Sequence, residues 1–433
     1  MDEITISLLG LAFMIALMLL RVPVGFAMLI TGFVGLSVVL SPGAAFNLLT
    51  GNVWGQFSSY SFSVIPLFIF MGQLAYRAGV TEKLYRAAYK WVGHLPGGLA
   101  GTTILASMGF SAICGSNSAT AATMGTIALP EMKKYSYDGT LSTGSVAIGG
   151  TLGVICPPSV VLIIIALQTE QSILSLFLSM IVPGVLLTVL FLLTVIFLCM
   201  RNPALGPAGP RAGLKEKLRS LSGVIEALIL FSLVIGGLYA GWFTPSEAAA
   251  AGAFGALVLA LVQRNLSFEN FKGAAMETVR VSSMVILLIT GAVVLTRFLT
   301  ATRLPFFLAE WVVELPVPSL VIMAVVFAIY LVGGCLMDAL GFLVVTVPIF
   351  FPVALALGYD PVHYTVLITF ITTMGAVTPP VGVNVYIVSG LAPEIPINNI
   401  FKGASLFLAG YALCIIFLMI FPQLALYLPS LLR

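Results

Sequence analysis

Charge is scarce in this sequence. Asp, Glu, Lys and Arg make up 8% of its 433 residues, against about 25% in an average soluble protein, too few to cover a surface in water. Histidine is scarcer: His94 and His363 are the only two. Both fall at edges of apolar segments, which leaves no imidazole cluster for a metal centre or a nucleophile–base pair. Five cysteines, Cys114, Cys156, Cys199, Cys335 and Cys414, stand in or beside apolar runs without C-x2-C spacing, so neither a zinc site nor a disulfide framework is expected. No nucleotide-binding motif occurs, and a net charge of +3 gives no basic face for nucleic acid. A Ser-His or paired-Asp catalytic constellation is missing as well, so no catalytic residue and no cofactor are expected.

What the sequence has is hydrophobic residues, 60% of the total, in runs of about 20, the length that spans a roughly 30 Å hydrocarbon layer as a helix. It reads as an all-α polytopic membrane protein in contact with lipid. Spanning segments are expected near 5–20, 23–40, 55–76, 138–167, 173–200, 222–241, 246–263, 276–298, 361–392 and 403–428. The acidic start Met1-Asp2-Glu3 is unlike a secretory signal, so the first run is expected to be a retained helix. Two further apolar regions, about 95–132 and 317–357, fit re-entrant hairpins. With the N-terminus outside, only Arg297, Arg303 and Arg433 of the 19 basic residues fall on the outer side, which satisfies the positive-inside rule and places both termini outside. Arg280 and Glu277 then stand at the inner interface. Segment 77–92 reads as an amphipathic helix on that interface, with a counterpart near 299–315 on the outer one.

An offset of 222 residues superimposes the halves: Pro130, Tyr137, Asp138, Thr143, Thr151, Gly153, Pro157 and Pro158 fall on Pro352, Tyr359, Asp360, Thr365, Thr373, Gly375, Pro379 and Pro380. Shared apolar letters follow from composition, but a shared skeleton of polar and helix-breaking residues does not. The chain divides into 1–200, a Pro/Gly-rich basic linker at 201–221, and 222–433. Each half holds five transmembrane helices and one hairpin, and an odd number of crossings inverts the second half. Two inverted-topology repeats with discontinuous helices are a secondary-transporter plan.

The chemistry is expected where helices break. Gly115, Ser116, Asn117 and Ser118 form a polar patch inside an apolar region, suited to a hairpin tip; the same residues would also serve a small-residue helix contact. The returning helix, from Ala119 and Thr120, presents free N–H groups to a carboxylate. Pro157-Pro158 and Pro379-Pro380 remove amide donors and unwind their helices, leaving carbonyls near Thr151 and Thr373 for a hard cation; no metal beyond sodium fits this donor set. Asp338, at the tip of the second hairpin, is open to three uses: completing a cation site, carrying a proton, or bracing the tip.

With these motifs the chain resembles, over essentially its whole length, the large membrane subunit of the tripartite ATP-independent periplasmic (TRAP) transporters. GSNSATAATMG at 115–125, GGTLGVICPPS at 149–159 and GAVTPPVGVN at 375–384 carry the likeness, with Leu129-Pro130 and Tyr137-Asp138 between the first two. The resemblance implies sodium-coupled import of a small organic acid across a bacterial inner membrane by an elevator motion. The acid would be delivered by a periplasmic substrate-binding protein, and a separate small subunit of about four helices would brace the scaffold. By position, it implies one sodium site from Ser116, Asn117, Ser118, Thr151 and Gly153, and a second from Gly333, Asp338, Thr373, Gly375 and Thr378. Ser118, Ala119, Thr120 and Asn384 would meet substrate. Cys156 replaces the hydroxyl that Thr378 supplies in the second repeat. The alternative is a stand-alone sodium- or proton-coupled symporter of divalent anions that needs no binding protein.

Overall fold

The computed structural model describes residues 2–431, which form helices and turns with no strand among them. Arg433, one of the basic residues expected outside, lies beyond the described residues.

The shared Tyr-Asp motif starts helices. Asp138 Oδ1 accepts from the N–H groups of Thr140 and Leu141 at 2.9 and 3.1 Å, and Asp360 Oδ1 from those of Val362 and His363 at 2.9 and 3.0 Å. Each aspartate satisfies two of the amides that a helix start leaves open. The helices that follow, Gly139–Ile155 and Pro361–Gly375, both stop ahead of a Pro-Pro pair. They resume as Val160–Thr169 and Val383–Leu391.

Each broken helix is faced by a helix–turn–helix unit. In the first, Gly98–Cys114 turns at Gly115 and Ser116 into Asn117–Lys134; in the second, Ser319–Leu336 turns at Met337 and Asp338 into Ala339–Ala356. The two returning helices coincide at both ends under the 222-residue offset. Ser116 Oγ caps the first by accepting from Ala119 N–H at 3.4 Å, and Asp338 Oδ2 caps the second by accepting from Leu340 N–H at 3.0 Å.

Two glycines, equivalent under the same offset, let each unit reach its broken helix. A Cβ on Gly153 would overlap the Ser116 backbone and lie 2.7 Å from Thr120 Oγ1; one on Gly375 would lie 2.6 Å from the Leu331 carbonyl and 2.7 Å from Cys335 N. Backbone therefore packs on backbone at both places.

Eight helices among the described residues are long and apolar enough to cross a membrane, or up to nine if the bent pair Pro42–Ser58 and Tyr60–Arg77 counts as one span. That pair corrects the expected span at 55–76: a separate helix ends at Ser58, and the chain bends by 55° before the next. The expected 276–298 segment is part of a longer helix, Phe268–Ala301, and the one at 403–428 divides into Ile397–Ile420 and Gln423–Ser430. Segment 201–221 is tied down: it contains the helix Leu214–Ser220, Lys90 Nζ lies 3.0 Å from Glu216, and the Tyr137 hydroxyl donates to the Pro207 carbonyl at 2.6 Å. Lys133 Nζ, 2.9 Å from Glu394, hydrogen-bonds that carboxylate and holds it below the usual carboxylate range, joining the first unit to the loop after the second broken helix.

The first broken helix is the centre of the molecule. In the apolar window of Gly139–Thr169, 94% of residues are buried, against 33% in the neighbouring helix Ile173–Arg201. Val24–Val39 packs along Phe268–Ala301 through Gly25, Gly32 and Gly291, and a Cβ on Gly32 would lie 2.7 Å from the Val294 backbone.

Gly153→Ala or Gly375→Ala is expected to cost about 1–3 kcal/mol through overpacking. Gly390, with nothing within 4 Å of an added Cβ, should accept alanine at no cost. Thermal unfolding of the detergent-purified variants checks the contrast, and equal stability of all three would contradict the close approach.

Candidate functional site

A cavity of about 570 Å³ lies where the two helix–turn–helix tips meet the first broken helix, within the usual range for a small-molecule site. One wall is Cys114–Ala119 with Met337, Asp338, Leu340 and Gly341, and Val154, Val160 and Val161 line it too. The opposite wall is Pro23–Gly25, Ile69, Gly72 and Gln73, and the face of Phe268–Ala301 that carries Glu277, Val281, Met284, Val285, Leu287 and Leu288.

The tips touch: Ser118 Oγ donates to Asp338 Oδ1 at 3.5 Å. Asp338 therefore caps its own helix with one oxygen and meets the other unit with the second. The exposed surface of the Asp338 side chain opens into the cavity. Asn117 is 3% exposed. Its Oδ1 accepts from Val154 N–H at 2.9 Å, pinning the first tip to the broken helix, while its Nδ2 has no partner.

The structure divides the expected site residues. Ser116, Asn117, Ser118, Ala119 and Asp338 line the cavity; Thr120, Thr151, Gly153, Gly333, Thr373, Gly375, Thr378 and Asn384 do not. Thr120 Oγ1 is buried behind the first tip without a partner. The Thr151 hydroxyl donates to the Ile148 carbonyl at 2.6 Å, and that of Thr373 bonds its own helix and the Tyr411 hydroxyl, the latter at 2.7 Å. The Tyr411 hydroxyl also has Thr151 beside it, so the two threonines equivalent under the offset share one neighbour. Thr378 Oγ1 donates to the Met374 carbonyl at 2.8 Å, and a Cβ on Gly333 would strike the Phe342 ring. Asn384 is fully buried, donates to the Ala147 carbonyl at 3.2 Å, and packs on Gly150. It braces the first broken helix and is screened from the cavity.

Two polar residues of the cavity were not expected, Gln73 and Glu277. The sequence places Glu277 at an interface because its helix is taken to start at 276. Ser267 caps that helix instead, its Oγ accepting from Asn270 N–H at 3.1 Å, which puts Glu277 nine residues into the helix and turns it inward. The signal available was Ser267 with Glu269 in the first turn.

Asp338→Asn keeps the capping oxygen and should match wild-type stability within about 0.5 kcal/mol, whereas Asp338→Ala should lose about 0.5–2 kcal/mol. Thermal unfolding decides, and an Asn variant as unstable as the Ala variant would show that charge, not capping, holds the second tip.

The chain matches, over residues 11–424, the family described as the tripartite ATP-independent periplasmic transporter, DctM component. It is 34% identical to a C4-dicarboxylate TRAP transporter large permease protein of Pseudomonas aeruginosa over 86% of each chain. It is 30% identical to a sialic acid TRAP transporter large permease protein of Vibrio cholerae, covering 96% of this chain and 97% of that one. Among solved structures, the YdaH transporter of Alcanivorax borkumensis shares the fold at a TM-score of 0.62 and 15% identity, over 97% of this chain and 99% of that one. A multi-span chain whose two tips meet the first broken helix at a cavity of small-molecule size, and which matches the family model from residue 11 to 424, belongs to the large permease component of the TRAP transporters.

Proposed function

We propose that this chain is the translocating subunit of a sodium-coupled importer of small carboxylate-bearing solutes in a bacterial inner membrane. It acts with a periplasmic substrate-binding protein and a small membrane subunit, as the family implies, with both of its own termini periplasmic. The cavity framed by the two tips carries this reading, because it joins the units that share a 222-residue offset to helices outside them. The offset divides the chain at 1–200, 201–221 and 222–433, and the odd number of crossings expected in each half makes the halves inverted repeats. The tips and broken helices, tied by Asn117 to Val154 and by Gly382 N–H to the Cys335 carbonyl at 2.9 Å, move together as the elevator. The wall formed by Val24–Val39 and Phe268–Ala301 stays fixed.

Support for sodium comes from oxygen donors without partners. Thr120 Oγ1 and Ser159 Oγ near the first break, and Thr372 Oγ1 near the second, are buried with no hydrogen bond. Hydroxyls with unwound carbonyls are the donors that bind sodium in broken-helix transporters. Thr120, Ser159 and the Ser116 carbonyl form the first site, and Thr372 extends the second. Thr151 and Thr373 support the sites from behind. Each sodium ion entering down 100 mV and a tenfold gradient supplies about 3.7 kcal/mol. Relatives named for C4-dicarboxylates, sialic acid and ectoine share a carboxylate, and one named for isethionate has a sulfonate in its place, so an anionic head group is what these solutes have in common.

Uptake of labelled acids into proteoliposomes holding all three components should require an inward sodium gradient and the binding protein, and Thr120→Ala should raise the sodium concentration needed for half-maximal uptake several-fold. Uptake that persists in potassium, or by this chain alone, would favour a stand-alone symporter and overturn the proposal.

A further inference from the structure

The two returning helices, equivalent under the offset, meet the rest of the molecule differently. Ala339–Ala356 packs against Val24–Val39 and Phe268–Ala301, the wall that stays fixed. Asn117–Lys134 packs on Gly98–Cys114 and on the two broken helices, and between it and Val64–Arg77 lies a second cavity of about 170 Å³. Gly72, Gln73, Cys114 and Ala119 line this space and the larger cavity alike, so the two are contiguous. Thr126, at its other end, also lines a third space of about 570 Å³ with Arg86, Lys90 and Glu131. Exposure along Asn117–Lys134 follows the same order: Ala119 and Ala122 are half-buried and Thr126 is exposed. The helix ends at Lys133 and Lys134, which with Arg86 and Lys90 mark the cytoplasmic side by the positive-inside rule.

Two rings narrow this passage. On the side of Asn117–Lys134 it is lined by Ala119, Ala122, Thr123 and Thr126, none larger than threonine. On the other side Tyr76, near the end of Val64–Arg77, stands edge-on to Phe110 of the first unit, with ring centroids 6.3 Å apart and planes at 62°. Phe110 is 2% exposed and held by its surroundings, whereas Tyr76 is 40% exposed and can change rotamer quickly. One turn earlier, Gly72 packs on the same arm, and a Cβ there would lie 3.0 Å from the Ile113 carbonyl. Val64–Arg77 and Gly98–Cys114 are thus pressed together, and the Tyr76 ring cannot retreat between them.

We propose that Tyr76 is a size-selective inner gate. Solute leaves the cavity for the cytoplasm between Val64–Arg77 and the Ala119–Thr126 face, and the Tyr76 ring against Phe110 sets the width it must pass. This rests on the proposed import function and adds a filter to it: the tips recognise the head group, and the ring limits the bulk attached to it. A gate changes the rate of passage in proportion to the size of what passes. A tyrosine that only anchored its helix at the membrane interface would leave that rate unchanged.

The test measures entry from the inner side. The complex of this chain with its small subunit, in inside-out vesicles and a cysteine-free background that retains uptake, carries either Ala119→Cys beyond the ring or Thr126→Cys before it. Each is labelled by a small anionic reagent, sulfonatoethyl methanethiosulfonate, and by a bulky one, a stilbene-disulfonate maleimide. Tyr76→Ala should raise the rate of the bulky reagent at Ala119→Cys at least about tenfold, and Tyr76→Trp should lower it, while the small reagent changes less than about threefold in both. Rates at Thr126→Cys should not move, which shows that both variants keep the fold. The gate is overturned by a bulky-reagent rate at Ala119→Cys that ignores residue 76, by an equal acceleration at Thr126→Cys, or by failure of the small reagent to reach Ala119→Cys. Gly213→Cys, in the linker between the halves, fixes the side. If it is labelled only in right-side-out vesicles, the orientation is inverted, and the import reading falls together with the inner gate.

Discussion

A peptide group exposed by a helix break inside an apolar layer has no water to turn to, and its partner must come from elsewhere in the protein. This chain breaks two helices at Pro-Pro pairs and brings a helix–turn–helix tip to each. The Cys335 carbonyl takes the N–H of Gly382 at the second break, and Asn117 Oδ1 accepts from Val154 N–H in the last turn before the first. Gly153 and Gly375 allow these contacts, since any side chain there would hold the tips away. Break, tip and glycine are one device, used twice at a 222-residue interval.

The cavity follows from that device. Each tip ends one helix and starts another, so each brings a cap and a set of free amides to the same region. The caps differ: Ser116 is neutral where its equivalent, Asp338, is charged. The charge of Asp338 bears on both tips, since Ser118 of the first hydrogen-bonds it. The wall outside the units adds Gln73 and Glu277, so the polar lining of the cavity comes from the tips and from helices outside them. Under the proposed elevator motion, a solute bridging the tips and that wall would change its contacts as one slides past the other, which is what differential binding to two states requires.

Features that rest on local backbone chemistry were legible in the sequence. The Pro-Pro pairs mark where helices stop, the paired Tyr-Asp motifs mark where they start, and the Gly-Ser-Asn-Ser patch marks a turn, because capping and ring closure act within a few residues. Tertiary partners were not legible. The bond of Thr373 to Tyr411 and the seating of Asn384 on Ala147 and Gly150 join residues far apart in the chain, and no local pattern announces them. The helix that carries Glu277 was expected to start at 276 and starts at Phe268, because its first turns after Ser267 are polar and break the apolar pattern. The helix Pro42–Ser58 went unnoticed because Asn47, Thr50, Asn52 and Gln56 interrupt its apolar pattern.

The central claim, that the two tips meet at one cavity, is tested by cross-linking across the Ser118–Asp338 contact. In a cysteine-free background that retains uptake, Ser118→Cys and Asp338→Cys together should form a disulfide quickly under mild oxidant. Thiols at both positions that react with a small reagent yet never cross-link would contradict it.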